Sequence, residues 1–144
     1  MWATVVGSLL MYALSASDAA IGERAFGRLR AGYAARDAAV AASAYAPTAV
    51  VTYRYTGVPV ERYRGRTAIR GSFQTLFDQI DTAQALDLDF RITSRRGRTL
   101  TGFYRLRIGT QQVTYGEFLV QLDRAGRFTH DVSRQATSAQ FDGA

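Results

Sequence analysis

The fold is decided by residues 86–108, which read LDLDFRITSRRGRTLTGFYRLRI. Apolar and polar residues alternate on both sides of Gly97, and a period of two is typical of strands with one buried face. Gly97 allows a tight turn, and a turn centred there places Phe90 opposite Tyr104. We therefore predict an antiparallel hairpin whose two apolar rows lie on one face of a sheet.

Charges on the opposite face of this hairpin support the same register. With the turn at Gly97, Asp89 lies across from Arg105, and Asp87 lies across from Arg107. Pairs of opposite charge on neighbouring strands stabilise a sheet. The charge match did not enter the choice of register, so it is independent support for the hairpin.

The period of two continues downstream and predicts two more strands. Residues 112–123 form the first, and the same register logic puts Glu117 beside Arg105. A turn at Ala125–Gly126 then leads into a last strand at residues 128–136. The inward positions of the 112–123 strand are Gly116, Phe118, Val120 and Leu122.

Helices and two short strands come before this sheet. Apolar residues at helical spacing predict the helices, and runs of β-branched and aromatic residues predict the strands. Asp37 is an N-cap residue for the second helix, and Pro47 is predicted to end it. The predicted helices span residues 21–36, 38–46 and 66–80, and the strands span residues 49–56 and 60–64.

This order of elements predicts an α+β fold. Three helices followed by a long sheet bury each other's apolar faces when the sheet wraps around the third helix, which carries Ile69, Phe73 and Phe77. We therefore expect three helices packed in the concavity of a strongly curved, mostly antiparallel sheet. Such a cone has an open mouth, and its end is a natural site for a small molecule.

Length and composition restrict the chemistry of this chain. With 144 residues, 47% of them hydrophobic, the chain can enclose one core and needs no second domain. It has no cysteine and no lysine, which excludes thiolate and Schiff-base catalysis. His130 is the single histidine, so a multi-histidine metal site is excluded as well. We expect neither a metal nor another cofactor.

The net charge of +6 raises the question of nucleic-acid binding. All eighteen basic residues are arginine, but they are dispersed along the chain beside predicted turns. They are not interleaved with the stacking aromatic residues of a single-strand binding platform. We interpret them as a solvated surface and expect no nucleic-acid partner.

The N-terminal residues 1–20 have features of a signal peptide. An apolar run from Ala3 to Leu14 is followed by small residues of the kind that a signal peptidase accepts. The run is too short for a membrane span, and no arginine or lysine precedes it. We predict export to the periplasm or medium if the segment is cleaved; the alternative is an uncleaved helix on a cytoplasmic domain. The predicted domain covers residues 21–138, and residues 139–144 form a C-terminal tail.

Five sequence stretches resemble a known superfamily. They are Tyr33–Asp37, Ala44–Val51, Tyr63–Arg70, Gly116–Phe118 and Gly126–Phe128. Together they resemble SnoaL-like and ketosteroid-isomerase-like members of the nuclear-transport-factor-2-like superfamily, over about residues 21–136. The resemblance implies the cone fold described above. It implies no single activity, because the superfamily contains isomerases, cyclases, hydrolases, dehydratases and non-catalytic binding proteins.

The resemblance also allows a test for one known mechanism. Ketosteroid isomerases use an aspartate base and a tyrosine donor in an apolar pocket. The position of the base falls on Tyr53, and that of the donor falls on Leu29. Neither residue can act in the same way, so steroid isomerisation by this mechanism is not expected.

His130 is the sequence's candidate catalytic residue. It alternates in register with Phe128 and Val132, which predicts that its side chain points inward. The resemblance implies acid–base work, because SnoaL-like cyclases use a histidine and an aspartate in the cavity. The alternative is a core histidine that is hydrogen-bonded to the backbone or to a tyrosine. Asp131 is the nearest acid, and a regular strand points it to the opposite face.

Aromatic residues form the predicted ligand-binding wall. The tyrosines could orient an oxygen-bearing ligand through their hydroxyls, or the rings could simply fill the core. The candidates are Tyr33, Tyr53, Tyr55, Phe73, Tyr104 and Phe118.

Two apolar residues stand out on the predicted outer face of the sheet. Phe103 and Leu119 are expected to be adjacent and exposed there. Superfamily members commonly dimerise through this face, so we predict a homodimer. The alternative is a pair of isolated surface hydrophobic residues.

Two functional hypotheses remain. The first is a domain that binds a small apolar ligand or a protein partner without strong catalysis. The alternative is a small cofactor-independent enzyme in which His130 transfers a proton, in an isomerase, cyclase, hydrolase or dehydratase type of reaction. The absence of the isomerase base and donor favours binding.

Overall fold

A computed structural model describes residues 22–144, so the candidate signal peptide lies outside the described residues. Within that range, no helix is both long and apolar enough to cross a membrane. The helices are α1 (residues 22–35), α2 (Ala38–Ala42), α3 (Arg66–Gln79) and α4 (Ser138–Asp142). The strands are β1 (Tyr45–Arg54), β2 (Glu61–Arg64), β3 (Leu86–Arg96), β4 (Thr99–Ile108), β5 (Gln112–Leu122) and β6 (Phe128–Gln135).

The six strands form one sheet in the order β2-β1-β6-β5-β4-β3. Every neighbouring pair is antiparallel except β1 and β6, which are parallel. Phe26 of α1 contacts the rings of Phe90, Phe118 and Phe128, which come from three different strands. One side chain can meet three strands in this way because the sheet curves around the helix. The predicted α+β cone is therefore confirmed.

The predicted pairs of the hairpin are also confirmed, but its turn is not centred on Gly97. Arg96 pairs with Thr99, and an irregularity between Ile92 and Ser94 shifts the register to the predicted pairs. Asp89 pairs with Arg105 and Asp87 with Arg107 across β3 and β4. The guanidinium of Arg105 lies 2.9 Å from the carboxylate of Asp89. The prediction that Glu117 lies beside Arg105 is wrong. The carboxylate of Glu117 lies 2.7 Å from the guanidinium of Arg134 on β6. The turn between β4 and β5 sets a register that the sequence pattern did not define.

The second helix is shorter than predicted. Asp37 does act as its N-cap, because the side chain accepts a hydrogen bond from the backbone N–H of Val40. The helix ends at Ala42, however, and Pro47 lies inside β1 instead of ending α2. The pairing of β1 with β6 is irregular between Tyr45 and Val50, so a residue without an N–H is tolerated at this point.

A bulge interrupts the last strand. Phe128 pairs with Leu122 of β5, whereas His130 pairs with the adjacent Gln121, so Thr129 is an extra residue. The bulge reverses the alternation of side chains beyond it. Asp131 is buried and His130 is exposed, so the predicted inward orientation of His130 is wrong.

Arg36 joins the ends of α1 and α3. Its guanidinium donates hydrogen bonds to backbone carbonyls at and beyond the C-terminus of α3, those of Phe77, Ile80, Asp81 and Gln84. A positive charge at this position also interacts favourably with the helix dipole. These hydrogen bonds hold the C-terminal end of α3 in place, and α3 forms one wall of the concave interior.

The short helix α4 packs on the outer face of the sheet. Thr137 begins it with a capping box, and Phe141 is almost fully buried. The guanidinium carbons of Arg91 and Arg105 lie 4.4 and 4.7 Å from the centre of the Phe141 ring. The last residues of the chain therefore cover part of the charged face of β3 and β4.

Gly102 provides a test of the sheet geometry. A Cβ at this position would overlap the backbone carbonyl of Arg91 on β3, and backbone cannot move aside as a flexible side chain can. We expect Gly102→Ala to lower the free energy of unfolding by about 1–3 kcal/mol, measured by urea denaturation. Gly27→Ala is the control, because no atom lies within 4 Å of the added Cβ. A Gly102→Ala protein as stable as the control would contradict this close approach.

Candidate functional site

A cavity of about 950 Å³ lies between helices α1 and α3 and the concave face of the sheet. All six residues that the sequence proposed as a ligand-binding wall line it, namely Tyr33, Tyr53, Tyr55, Phe73, Tyr104 and Phe118. Tyr53 and Leu29, which the sequence resemblance matches to the base and the donor of ketosteroid isomerases, are both among the lining residues. The interior is therefore hollow enough for a small molecule.

The cavity wall is rich in aromatic residues. Eleven of the described lining residues are phenylalanine or tyrosine. Some of the lining rings meet edge to face, such as Tyr33 with Phe73, with centroids 5.8 Å apart, and Tyr45 with Phe128, at 5.3 Å. The rings of Tyr53 and Tyr55 are stacked instead, with centroids 5.9 Å apart. Such packing holds the rings in defined orientations, so the wall presents fixed ring faces and fixed hydroxyls.

Asp131 is the buried acidic residue among those that line the cavity. The bulge at Thr129 points its side chain inward, where 7% of the residue remains exposed. The hydroxyl of Tyr45 donates to one carboxylate oxygen at 2.6 Å, and the hydroxyl of Ser133 donates to the other at 3.4 Å. One oxygen is thus held by a short bond, while the other has only a long contact and can accept a further hydrogen bond.

Burial raises the pKa of Asp131 to about 6, because the apolar wall disfavours the charged form. The hydrogen bonds from Tyr45 and Ser133 lower the pKa but only partly offset the burial. The carboxyl group therefore changes its protonation state close to neutral pH, whereas an exposed aspartate does so near pH 4.

A second polar feature is a pair of tyrosine hydroxyls. The hydroxyl oxygens of Tyr55 and Tyr104 lie 2.8 Å apart. Burial raises the pKa values of both residues, as it does for Tyr33 and Tyr53. These phenols therefore stay protonated at neutral pH and act as neutral hydrogen-bond donors or acceptors in the cavity.

Positive charge is absent from the described part of the cavity wall. No arginine lines it, and His130 lies outside it on the exposed face of β6. Among residues 22–144, no group of histidine and acidic residues could hold a metal ion. Asp131 and Glu61 are the carboxyl groups that the described lining contains.

Sequence reasoning identified the aromatic wall but missed Asp131. The alternation rule assigned the inward position to His130 because a regular strand was assumed. A one-residue bulge has no reliable sequence signal in the run Phe128–Ser133. The only hint is that Asp131 and Ser133 are two residues apart, so both face the same side.

Solved structures with the same fold were found at low sequence identity. A protein of unknown function with a cystatin-like fold from Methylobium petroleophilum superposes with a TM-score of 0.65 at 17% identity, covering 82% of this chain and 77% of that chain. An NTF2-like protein from Novosphingobium aromaticivorans gives a TM-score of 0.61 at 16% identity and covers 92% of each chain.

A third neighbour is an LEH-like epoxide hydrolase from Mycobacterium tuberculosis, with a TM-score of 0.56 at 16% identity, covering 86% of this chain and 89% of that chain. No protein-family model and no curated protein sequence matches the chain. The chain therefore has the nuclear-transport-factor-2-like cone fold that the sequence resemblance implied. At these identities the comparisons establish the fold alone.

The pKa of Asp131 predicts a pH-dependent effect of Asp131→Asn. Because the native pKa is raised above its unfolded value of about 4, the native state binds more protons, and wild-type stability falls between about pH 4 and 6. Asparagine avoids burying a charge, so the stability of Asp131→Asn relative to wild type should rise by about 2–3 kcal/mol from pH 4 to pH 8.

Chemical denaturation at the two pH values measures this difference. Asp87→Asn is the control, since Asp87 is exposed on the outer face of β3. This variant reports the loss of a carboxyl group outside the cavity. If the stability of Asp131→Asn relative to wild type stays constant or falls toward high pH, the pKa of Asp131 is not raised in the native state.

Proposed function

We propose that this protein is a small cofactor-independent enzyme that binds a largely apolar molecule in its cone and transfers a proton through Asp131. One observation carries the proposal: a carboxyl group with a pKa of about 6 lies on the wall of a cavity of about 950 Å³. A general acid or base works best when its pKa lies near the working pH. Asp131 replaces His130 in this role.

The tyrosines supply the other half of such a reaction. Proton removal from a carbon next to an oxygen function builds negative charge on that oxygen. Neutral hydroxyls in fixed positions stabilise such a charge in an apolar site. Tyr55 and Tyr104 form one hydroxyl pair in the cavity, and Tyr45 holds Asp131 through a short hydrogen bond. Asp131 would move the proton, and the hydroxyl pair would bind the oxygen.

The competing hypothesis is a binding domain without catalysis. The aromatic wall supports both hypotheses equally, because apolar rings bind ligands whether or not a reaction follows. The buried carboxyl favours the enzyme. An unpaired acid inside an apolar wall lowers stability at neutral pH, and such strain is typical of functional sites.

Kemp elimination of nitrobenzisoxazole tests the proton transfer. In this reaction a base removes the ring C–H proton, the N–O bond breaks, and a coloured cyanophenolate forms. We expect the protein to accelerate it, with a rate that rises as pH passes through about 6, where Asp131 becomes ionised. Absorbance spectroscopy measures the rate.

Matched variants separate the two hypotheses. Asp131→Asn should reduce the rate by at least about 100-fold, because general base catalysis contributes roughly that much, while binding of the probe is retained. Asp87→Asn should leave the rate unchanged. Binding of the probe without any Asp131-dependent rate would support the binding domain instead.

We also propose that the protein is a homodimer through the outer face of the sheet. Leu119 is 39% exposed and pairs with Val132 on the neighbouring strand. Phe103 lies diagonally across from it on β4 and is half-buried, so the expected exposure is wrong for this residue. These three residues make an apolar strip beside helix α4. Apolar strips of this kind are typical of interfaces between subunits.

The dimer proposal predicts that Leu119→Glu gives a monomer, because a charge would be buried at the centre of the interface. Light scattering coupled to size-exclusion chromatography measures the mass. Val113→Glu is the control, since Val113 is an exposed apolar residue nearer the other end of β5. A wild-type protein that is already monomeric would contradict the dimer.

A further inference from the structure

The charge of the cavity is opposite to the charge of the protein. The chain carries eighteen arginines and a net charge of +6. None of these arginines contributes to the described cavity wall, which contains the carboxyl groups of Asp131 and Glu61. The described lining thus has one buried carboxyl group, that of Asp131, and one exposed carboxyl group, that of Glu61, but no positively charged side chain.

Asp131 has only neutral partners within residues 22–144. Its hydrogen bonds come from Tyr45 and Ser133, and none of the ion pairs in this range includes it. A buried carboxylate is normally paired with a cation. Above its pKa, Asp131 is therefore a buried negative charge that lacks a counter-ion, beside a hollow large enough to hold one.

The rings around Asp131 provide the second requirement for a cation. Tyr45, which donates to Asp131, lies 5.3 Å from Phe128 and 6.0 Å from Phe73 between ring centroids. Tyr33 stands edge to face with Phe73 at 5.8 Å. The faces of aromatic rings attract ammonium groups, and this attraction grows when water is excluded.

We propose that the natural ligand is a lipophilic amine, whose ammonium group lies against Asp131 and whose apolar body lies against the aromatic wall. This names the ligand class for the cavity and rests on the proposed function. An organic carboxylate or phosphate is disfavoured, because the described wall offers it no cation and holds two acidic groups. A neutral alcohol would bind through the rings and hydroxyls but would leave Asp131 without a counter-ion.

Four probes of one shape test the proposal by isothermal titration calorimetry. They are adamantylamine, trimethyladamantylammonium, adamantanol and adamantane carboxylate. At about pH 8, where an aliphatic amine is charged and Asp131 is ionised, both cations should bind at least tenfold more tightly than adamantanol. The carboxylate should bind most weakly. The trimethyl compound cannot donate a hydrogen bond, so its affinity reports the charge and the ring faces alone.

Two variants test whether the cations bind at Asp131. Asp131→Asn should lower the affinity for both cations at least tenfold and leave the affinity for adamantanol within about twofold, because only the charge is removed. Asp87→Asn, on the outer face, should change none of the four affinities. Loss of cation preference in Asp87→Asn would show that the cations bind outside the cavity, and would overturn the proposal.

A pH titration of the wild-type protein gives a measurement that needs no variant. The titratable groups that face Asp131 are Tyr33 from α1, Tyr45, Tyr53 and Tyr55 from β1 and its end, and Tyr104 from β4. Burial raises all of their pKa values, so they stay neutral between about pH 5 and 8. The preference for amine over alcohol should therefore fall as Asp131 becomes protonated below about pH 6.

The outcomes separate this inference from the proposed function. If adamantanol binds as tightly as the amines, the amine assignment is wrong, while the cavity still binds small apolar molecules. A preference for the carboxylate would overturn the assignment as well. If none of the four compounds binds, both the amine assignment and the small-molecule function fail.

Discussion

In strand β6, one extra residue reverses the side of the sheet to which the following side chains point. The chemistry of the interior depends on that reversal. Thr129 is the extra residue of a bulge between β5 and β6. Without it, His130 would point into the cone and Asp131 would point to solvent. A bulge in the strand shared by β1 and β5 lies at the centre of the sheet, so its effect extends to both neighbours. The bulge thus places the carboxyl group of Asp131, and not the imidazole of His130, in the cavity wall.

The buried acid imposes a consistent set of conditions on its surroundings. Burial raises its pKa, and Tyr45 offsets part of that effect with a short hydrogen bond. The surrounding tyrosines remain protonated because burial raises their pKa values too. The interior therefore contains one group that titrates near neutral pH among hydroxyls that do not. This arrangement is unfavourable for stability and useful for chemistry, which is the usual relation between the two at a functional site.

Charged side chains serve the fold on the outside of the cone. Arg36 clamps the C-terminal end of α3, and Arg91 and Arg105 enclose the ring of Phe141. Glu117 pairs with Arg134 across β5 and β6. These contacts lie outside the cavity, whose described lining contains no arginine. The separation of outer positive charge from an inner carboxyl gives the cavity its chemical character.

The sequence by itself determined the α+β class, the hairpin of β3 and β4, and the aromatic wall, because these depend on local patterns. Alternation and matched charges set the hairpin register, and helical spacing gave α3 with its buried Phe73. Only the tertiary structure decided the length of α2, the partner of Glu117 and the exchange of His130 for Asp131. The physical reason is that each of these depends on how one strand is paired with another, and a single inserted residue in a strand reverses every side chain beyond it.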